Sequence, residues 1–157
     1  MKIDLDEVTK RTVSVKQYID SLEQTFRKNF LTRKQTYQLK HETMNQLRIF
    51  ADKYVIVAFS AEWCKDCTAN IPVLALISEA IGIDVRIFGG LKKDLLNPER
   101  KWRIPPSPPE AKTFNVEKIP LILLFDKEGN EIGRIIETPR EPTLEEELLK
   151  IVLTRHS

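Results

Sequence analysis

Tyr54-Val55-Ile56-Val57-Ala58-Phe59-Ser60-Ala61-Glu62-Trp63-Cys64-Lys65-Asp66-Cys67 is the stretch from which the fold is read. Its first six residues are a short run of β-branched and aromatic side chains, the composition of a buried strand. From Thr68 to Ile83 the chain is long enough and apolar enough for a helix. Both cysteines lie between the two. A Cys-x-x-Cys at such a junction puts Cys64 at the helix N-terminus, where unpaired N–H groups and the positive dipole end favour a thiolate. Cys67, one turn further in, is placed to close a disulfide after Cys64 has attacked a substrate. The pair reads as a two-electron redox switch. Two other uses stay open on the residues alone. Structural zinc usually takes four Cys or His ligands, and here the sequence-distant His41 and His156 would have to join. A structural bridge over so short a loop would constrain the unfolded chain little.

A chain of 157 residues is expected to form one domain with a real core. Hydrophobic content of 41% and charged content of 31% are those of an ordinary globular protein, and a net charge of +2 argues for neither a nucleic-acid partner nor an acidic substrate. The start, Met1-Lys2-Ile3-Asp4, has no apolar signal-like region. The apolar runs are far shorter than a membrane span, so no membrane partner is expected. Two cysteines placed for catalysis, and no third, fit a reducing cytoplasm.

Outward from the centre, residues 1–13 read as a polar, irregular arm. Ser14-Val15-Lys16-Gln17 is a capping box, opening a helix with Val15, Tyr18, Ile19, Leu22, Phe26 and Phe30 at helical spacing. Thr32-Arg33-Lys34-Gln35 repeats the pattern and is expected to open a second helix, with Tyr37, Met44, Leu47 and Ala51 on one stripe. Arg27, Lys28, Arg33, Lys34 and Lys40 leave two readings, a phosphate-binding patch or a solvated face. His41 reads as a surface histidine. After Cys67 the helix is expected to run to Gly82, kinked at Pro72. Asp84 to Phe88 is a second strand, joined by a parallel crossover. Gly89-Gly90 breaks the regular structure. Leu91–Leu96 suggests a short helix, and Pro105-Pro106-Ser107-Pro108-Pro109 a stiff polyproline II segment. That segment is either a rigid connector or, with Trp102, a lip for substrate or partner. Ile119-Pro120 precedes a buried strand, Leu121 to Phe125; Lys127-Glu128-Gly129-Asn130 supplies a turn; Glu131 to Glu137 returns as its hairpin partner. Thr143-Leu144-Glu145-Glu146 opens a last helix with Leu144, Leu148, Ile151 and Val152 inward. The expected order is ααβαβ(insert)ββα: an N-terminal helical extension, 1–53, on a domain of 54–157, together one compact unit.

Val57-Ala58-Phe59-Ser60-Ala61-Glu62-Trp63-Cys64 resembles the active-site segment of the thioredoxin family. Pro72 falls where that family kinks its helix, and Ile119-Pro120 resembles its cis-proline step beside the cysteines. The resemblance spans residues 50–155 and implies a thioredoxin-like α/β fold, a central mixed sheet flanked by helices, here with an extra N-terminal helix pair. It departs from the family at three places. Lys65-Asp66 replaces the usual Gly-Pro, Ala58 stands where a buried aspartate is usual, and Ser60 stands where many members have a second tryptophan.

The resemblance implies a thiol–disulfide oxidoreductase, in a reducing compartment a disulfide reductase. Cys64 is then the nucleophile and Cys67 the resolving thiol. Trp63 covers the thiols, and Ile119 and Pro120 bind the substrate's extended chain. Lys65 favours the Cys64 thiolate and Asp66 opposes it. No cofactor beyond the Cys64–Cys67 disulfide is implied, and no metal. The partners implied are disulfide-containing proteins or small molecules and a reductase that regenerates the dithiol. With no carboxylate at position 58, Cys67 is expected to lose its proton slowly, with Asp66 the nearest substitute in sequence. The rival reading is a non-catalytic binding module of the same fold, its cysteines serving as a redox sensor.

Overall fold

The computed structural model describes residues 1–92, 95, 96, 102 and 105–156. In chain order the elements are α1 (Leu5–Arg11), β1 (Val13–Ser14), α2 (Val15–Ser21), α3 (Gln24–Thr36), α4 (His41–Leu47) with a 3₁₀ turn at Arg48–Phe50, β2 (Tyr54–Phe59), α5 (Lys65–Ile81), β3 (Asp84–Phe88), α6 (Glu110–Thr113), β4 (Leu121–Asp126), β5 (Glu131–Ile136) and α7 (Leu144–Arg155). The strands make one mixed sheet in the order β1-β3-β2-β4-β5. Strands β2 and β3 are parallel, and every other pairing is antiparallel.

Burial explains why β2 is central. All six of its residues are buried, as are the first five of β4, so neither strand has a solvent face and each must be covered on both sides. Tyr54 and Ile56 share an apolar seam with Leu47, Ile77, Leu124 and Leu148 from the flanking helices and β4. On the opposite face Phe59 stacks on Phe88 at 4.7 Å and tilts against Phe114 at 5.3 Å. Four of the helices have a side-chain oxygen accepting at the N-cap, from Asp4, Ser14, Glu23 and Thr143. Ser14 and Gln17 form the expected reciprocal box at α2, and Thr143 accepts from the Glu146 N–H at α7. At the other end of α5, Gly82 takes φ +78°, a left-handed cap that suits a residue without Cβ. Pro72 lies inside α5 without ending it.

The N-terminal region departs from expectation in three ways. Residues 1–13 are no arm. Ile3 donates its N–H to the Gly129 carbonyl and Glu131 donates to that of Met1, α1 follows with Asp4 as its cap, and β1 joins the sheet beside β3. Arg86 holds that corner through Thr12 Oγ1 and the carbonyls of Thr9 and Thr12. The helix from Val15 does not reach Phe30, because the chain turns at Leu22–Glu23 and α3 restarts. Thr32 opens nothing: it is mid-helix, its hydroxyl donating to the Lys28 carbonyl one turn back. The break comes after Thr36, and Tyr37 caps α3 rather than joining the stripe of α4.

Most of the basic cluster serves the fold. Arg27 donates to the Asp20 carbonyl, Arg33 to that of Ala69, Lys34 pairs with Glu79 and Lys40 with Glu146. The short helix expected at 91–96 lies partly outside the described residues; Leu91 and Lys92 are not helical, and Leu95 and Leu96 lie in a turn. Pro105–Pro106 is a cis step within a turn, so the proline run is not polyproline II there. No helix among the described residues is long and apolar enough to cross a membrane.

Candidate active site

Cys64 is the N-cap of α5. Its extended backbone (φ −83°, ψ 121°) turns Sγ back over the first helical turn, where it accepts the Cys67 N–H at 3.2 Å. The same sulfur lies 3.7 Å from the Ile119 carbonyl oxygen, to which its thiol form donates. The Ile119–Pro120 peptide is cis and Pro120 is buried. Both cysteines are thiols. Cys64 keeps 8% of its surface exposed, Cys67 none.

The environments push the two thiols in opposite directions. Cys64 is drawn down to about 7 from an ordinary 9. The Cys67 S–H donating to it is the largest cause, burial opposes, the N–H groups of Cys67 and Asp66 assist, and the Asp66 carboxylate works against them. Cys67 is pushed up, first by burial and then by its bond to Cys64, against weaker help from the Ala61 N–H and the Ser60 hydroxyl. A thiolate beside a protonated partner is what nucleophilic attack followed by resolution requires.

Alkylation by iodoacetamide should therefore report Cys64 alone, its rate rising with pH through a midpoint near 7. In Cys67→Ala the principal donor is gone, and the midpoint should climb toward the ordinary thiol value. Because folding depresses this acid, its stabilising contribution is present above pH 9 and is lost as pH falls through 7. An unmoved midpoint in Cys67→Ala would show that the helix end, not the partner thiol, sets the shift.

The family model described as Thioredoxin matches residues 12–147. The chain belongs to the thioredoxin family. Among curated relatives it is similar to a thioredoxin of Chlamydia muridarum, 36% identical over 86 residues, 55% of this chain and 71% of that one. A thioredoxin of Mycobacterium bovis is 29% identical over 102 residues, 65% of this chain and 77% of that one. Among solved structures, a protein of unknown function from Pseudomonas aeruginosa superposes over 98% of this chain and 99% of its own, with a TM-score of 0.74 at 17% identity. That likeness is one of fold, and it takes in the N-terminal helices as well as the sheet. The fold is thioredoxin-like, a five-stranded mixed sheet flanked by helices.

Of the residues singled out in the sequence, Cys64, Cys67, Ile119 and Pro120 meet at one place. Trp63 is about half exposed beside them, stacked on Trp102 with ring centroids 5.9 Å apart. Trp102 donates its indole N–H to the Glu117 carbonyl, and Pro106 backs onto Gly90. Trp102 and Pro106 therefore form a wall next to Trp63. Lys65 is exposed and Asp66 half-buried. His41 and His156 are not near the pair in any contact: His41 is exposed at the start of α4, and His156 stacks on Phe50. Among the described residues no cluster of three or more Cys, His, Asp or Glu is placed to hold a metal.

Two residues near the pair, Ser60 and Tyr18, carry no site role in the sequence reading. Ser60, fully buried, reaches the Cys67 thiol, and the Tyr18 hydroxyl of α2 is 2.9 Å from its Oγ. A lone serine closing an otherwise apolar strand is the only local signal for this. Tyr18, 42 positions away, carries none.

Proposed function

We propose that the chain is a thiol–disulfide oxidoreductase acting as a disulfide reductase. The observation that carries this is the pair itself, Cys64 favoured as a thiolate at a helix cap over a buried, protonated Cys67. The Cys64 thiolate attacks one sulfur of a substrate disulfide; the other sulfur leaves as a thiolate and takes a proton from solvent. Cys67 then gives up its proton and attacks Cys64 Sγ, expelling the second substrate thiolate and leaving a Cys64–Cys67 disulfide. A dithiol or a partner reductase restores the reduced pair. The corner at Ile119–Pro120 docks the substrate's extended chain against Cys64, and the exposed face of Trp63 bears on the same region. Lys65 and Asp66 tune the attacking sulfur. The wall of Trp102 and Pro106 serves as a lip for protein substrates. A chain with no cysteine beyond this pair suits a reducing compartment such as the cytoplasm.

Insulin reduction driven by dithiothreitol tests the reading. The protein should shorten the lag before the freed B chains precipitate, and Cys64→Ser should abolish the acceleration. Reversible oxidation of the pair without turnover of any disulfide would replace the enzyme with a redox-sensing module.

A further inference from the structure

Resolution has a proton to dispose of. In the resting dithiol the Cys67 S–H points to the Cys64 thiolate. Once Cys64 is bonded to substrate sulfur that acceptor is gone, and so is the negative charge that opposed ionisation of Cys67. Two groups that act on the Cys67 sulfur remain, the Ala61 N–H and the Ser60 hydroxyl. The amide only donates; the hydroxyl can accept as well. Ser60 Oγ in turn is 2.9 Å from Tyr18 Oη. The Asp66 carboxylate, adjacent in sequence, acts on Cys64.

The fold makes room for this contact. Ser60 follows β2 directly and is anchored by its own N–H to the Phe88 carbonyl at 3.0 Å. Gly89, next to Phe88, admits the Tyr18 ring, since a Cβ there would lie 2.7 Å from Tyr18 Cε1. Helix α2 is held at this position by its capping box and by the pairing of β1 with β3. Tyr18 also lines a cleft of about 590 Å³ together with Arg11, Glu62, Trp63, Lys92 and Pro106. The hydrogen-bonded hydroxyls of Ser60 and Tyr18 thus lie between the buried thiol and a cleft that Trp63 also borders.

We propose that Ser60 and Tyr18 form a hydroxyl relay that carries the Cys67 proton to this cleft in the resolving step. This rests on the oxidoreductase reading above. The Cys67 proton passes to Ser60 Oγ as Ser60 passes its own to Tyr18 Oη, and Tyr18 passes its own to water in the cleft. Cys67 bonds to Cys64 Sγ, and the Cys64–substrate bond breaks with its electron pair on the substrate sulfur. Each oxygen ends with the one proton it began with. The transfer is concerted, because burial holds the Tyr18 phenol well above its ordinary range and Glu62, Cys64 and Cys67 add to that, so no free tyrosinate forms.

Dithiobis(nitrobenzoate) resolves the two steps in the full-length protein. The first nitrothiophenolate released reports attack by Cys64, and the second reports resolution by Cys67. This leaving thiolate departs unprotonated, so the second phase isolates proton loss from Cys67. Ser60→Ala and Tyr18→Phe should each keep the parent's first phase and slow the second about 100-fold, the lower end of what a lost proton-transfer partner costs. The rise of the second phase with pH should move upward in both variants, which loosened packing alone would not produce. If Ser60→Ala does not fold, Tyr18→Phe, which keeps its ring, decides. Second phases at the parent's rate and pH overturn the relay. Slowing in Ser60→Ala alone also overturns it, since Ser60 would then be a solitary donor. A parent that shows no first phase overturns the oxidoreductase reading, and the relay with it.

Discussion

Cys67→Ser is expected to arrest the protein as a mixed disulfide through Cys64, while Cys64→Ser traps almost nothing. The argument is one of thiolate supply against reactivity. With Cys64 at about 7, roughly half of it is thiolate at neutral pH, against about one per cent for a thiol at 9. The less basic thiolate is the weaker nucleophile, which returns about a factor of ten over that interval. Chemistry alone therefore leaves Cys64 ahead by somewhat under tenfold. Each further unit by which burial raises Cys67 widens the gap about three- to fourfold. Access then multiplies it: Cys64 has an exposed edge and Cys67 has none. Incubated with a protein disulfide and quenched in acid, Cys67→Ser should show a covalent adduct on a non-reducing gel. Equal adducts from both single variants would overturn the order of attack.

The residues that determine this asymmetry were legible to different degrees. Cys64 and Cys67 announce themselves through their spacing and through the strand before them, whose six residues are an unbroken apolar, buried run. The strands β3, β4 and β5 and the terminal helix follow from runs or periods that tertiary structure does not override. The first thirteen residues were opaque for a physical reason: α1 buries only Val8, and β1 is two residues long, so neither carries a readable period. Thr32 misled because a capping-box pattern is equally tolerated inside a helix when the hydroxyl bonds back to the preceding turn. The relay pair was invisible because its hydrogen bond joins positions far apart, and only the packing of α2 over Gly89 makes them neighbours.

Glu145 is a miss that the sequence could have prevented, and the largest effect on stability is expected there. The pattern Thr143-x-x-Glu146 directs attention to Glu146, yet Glu145 shares a helix face with Leu148, Leu149 and Val152, all buried. It is itself fully buried, accepting the Tyr37 hydroxyl at 2.7 Å and the Lys40 N–H at 2.8 Å. One carboxylate on α7 therefore ties down the link between α3 and α4. Glu145→Ala removes the acceptor of a half-buried phenol and of a partly covered backbone N–H, each costing about 1 kcal/mol, and opens a void besides. The expected loss is about 3–5 kcal/mol, a fall in Tm of roughly 10 °C for a chain of this size. Glu145→Gln keeps one acceptor oxygen but turns an amide N–H₂ toward a donor, so about half that loss is expected. Tyr37→Phe added to Glu145→Ala should cost less than the sum of the two, because the stranded hydroxyl has been removed. Urea unfolding of the three variants and the double variant measures all of this. A loss below about 1 kcal/mol in Glu145→Ala would mean that water replaces the carboxylate and that the α3–α4 link is held by its apolar contacts instead.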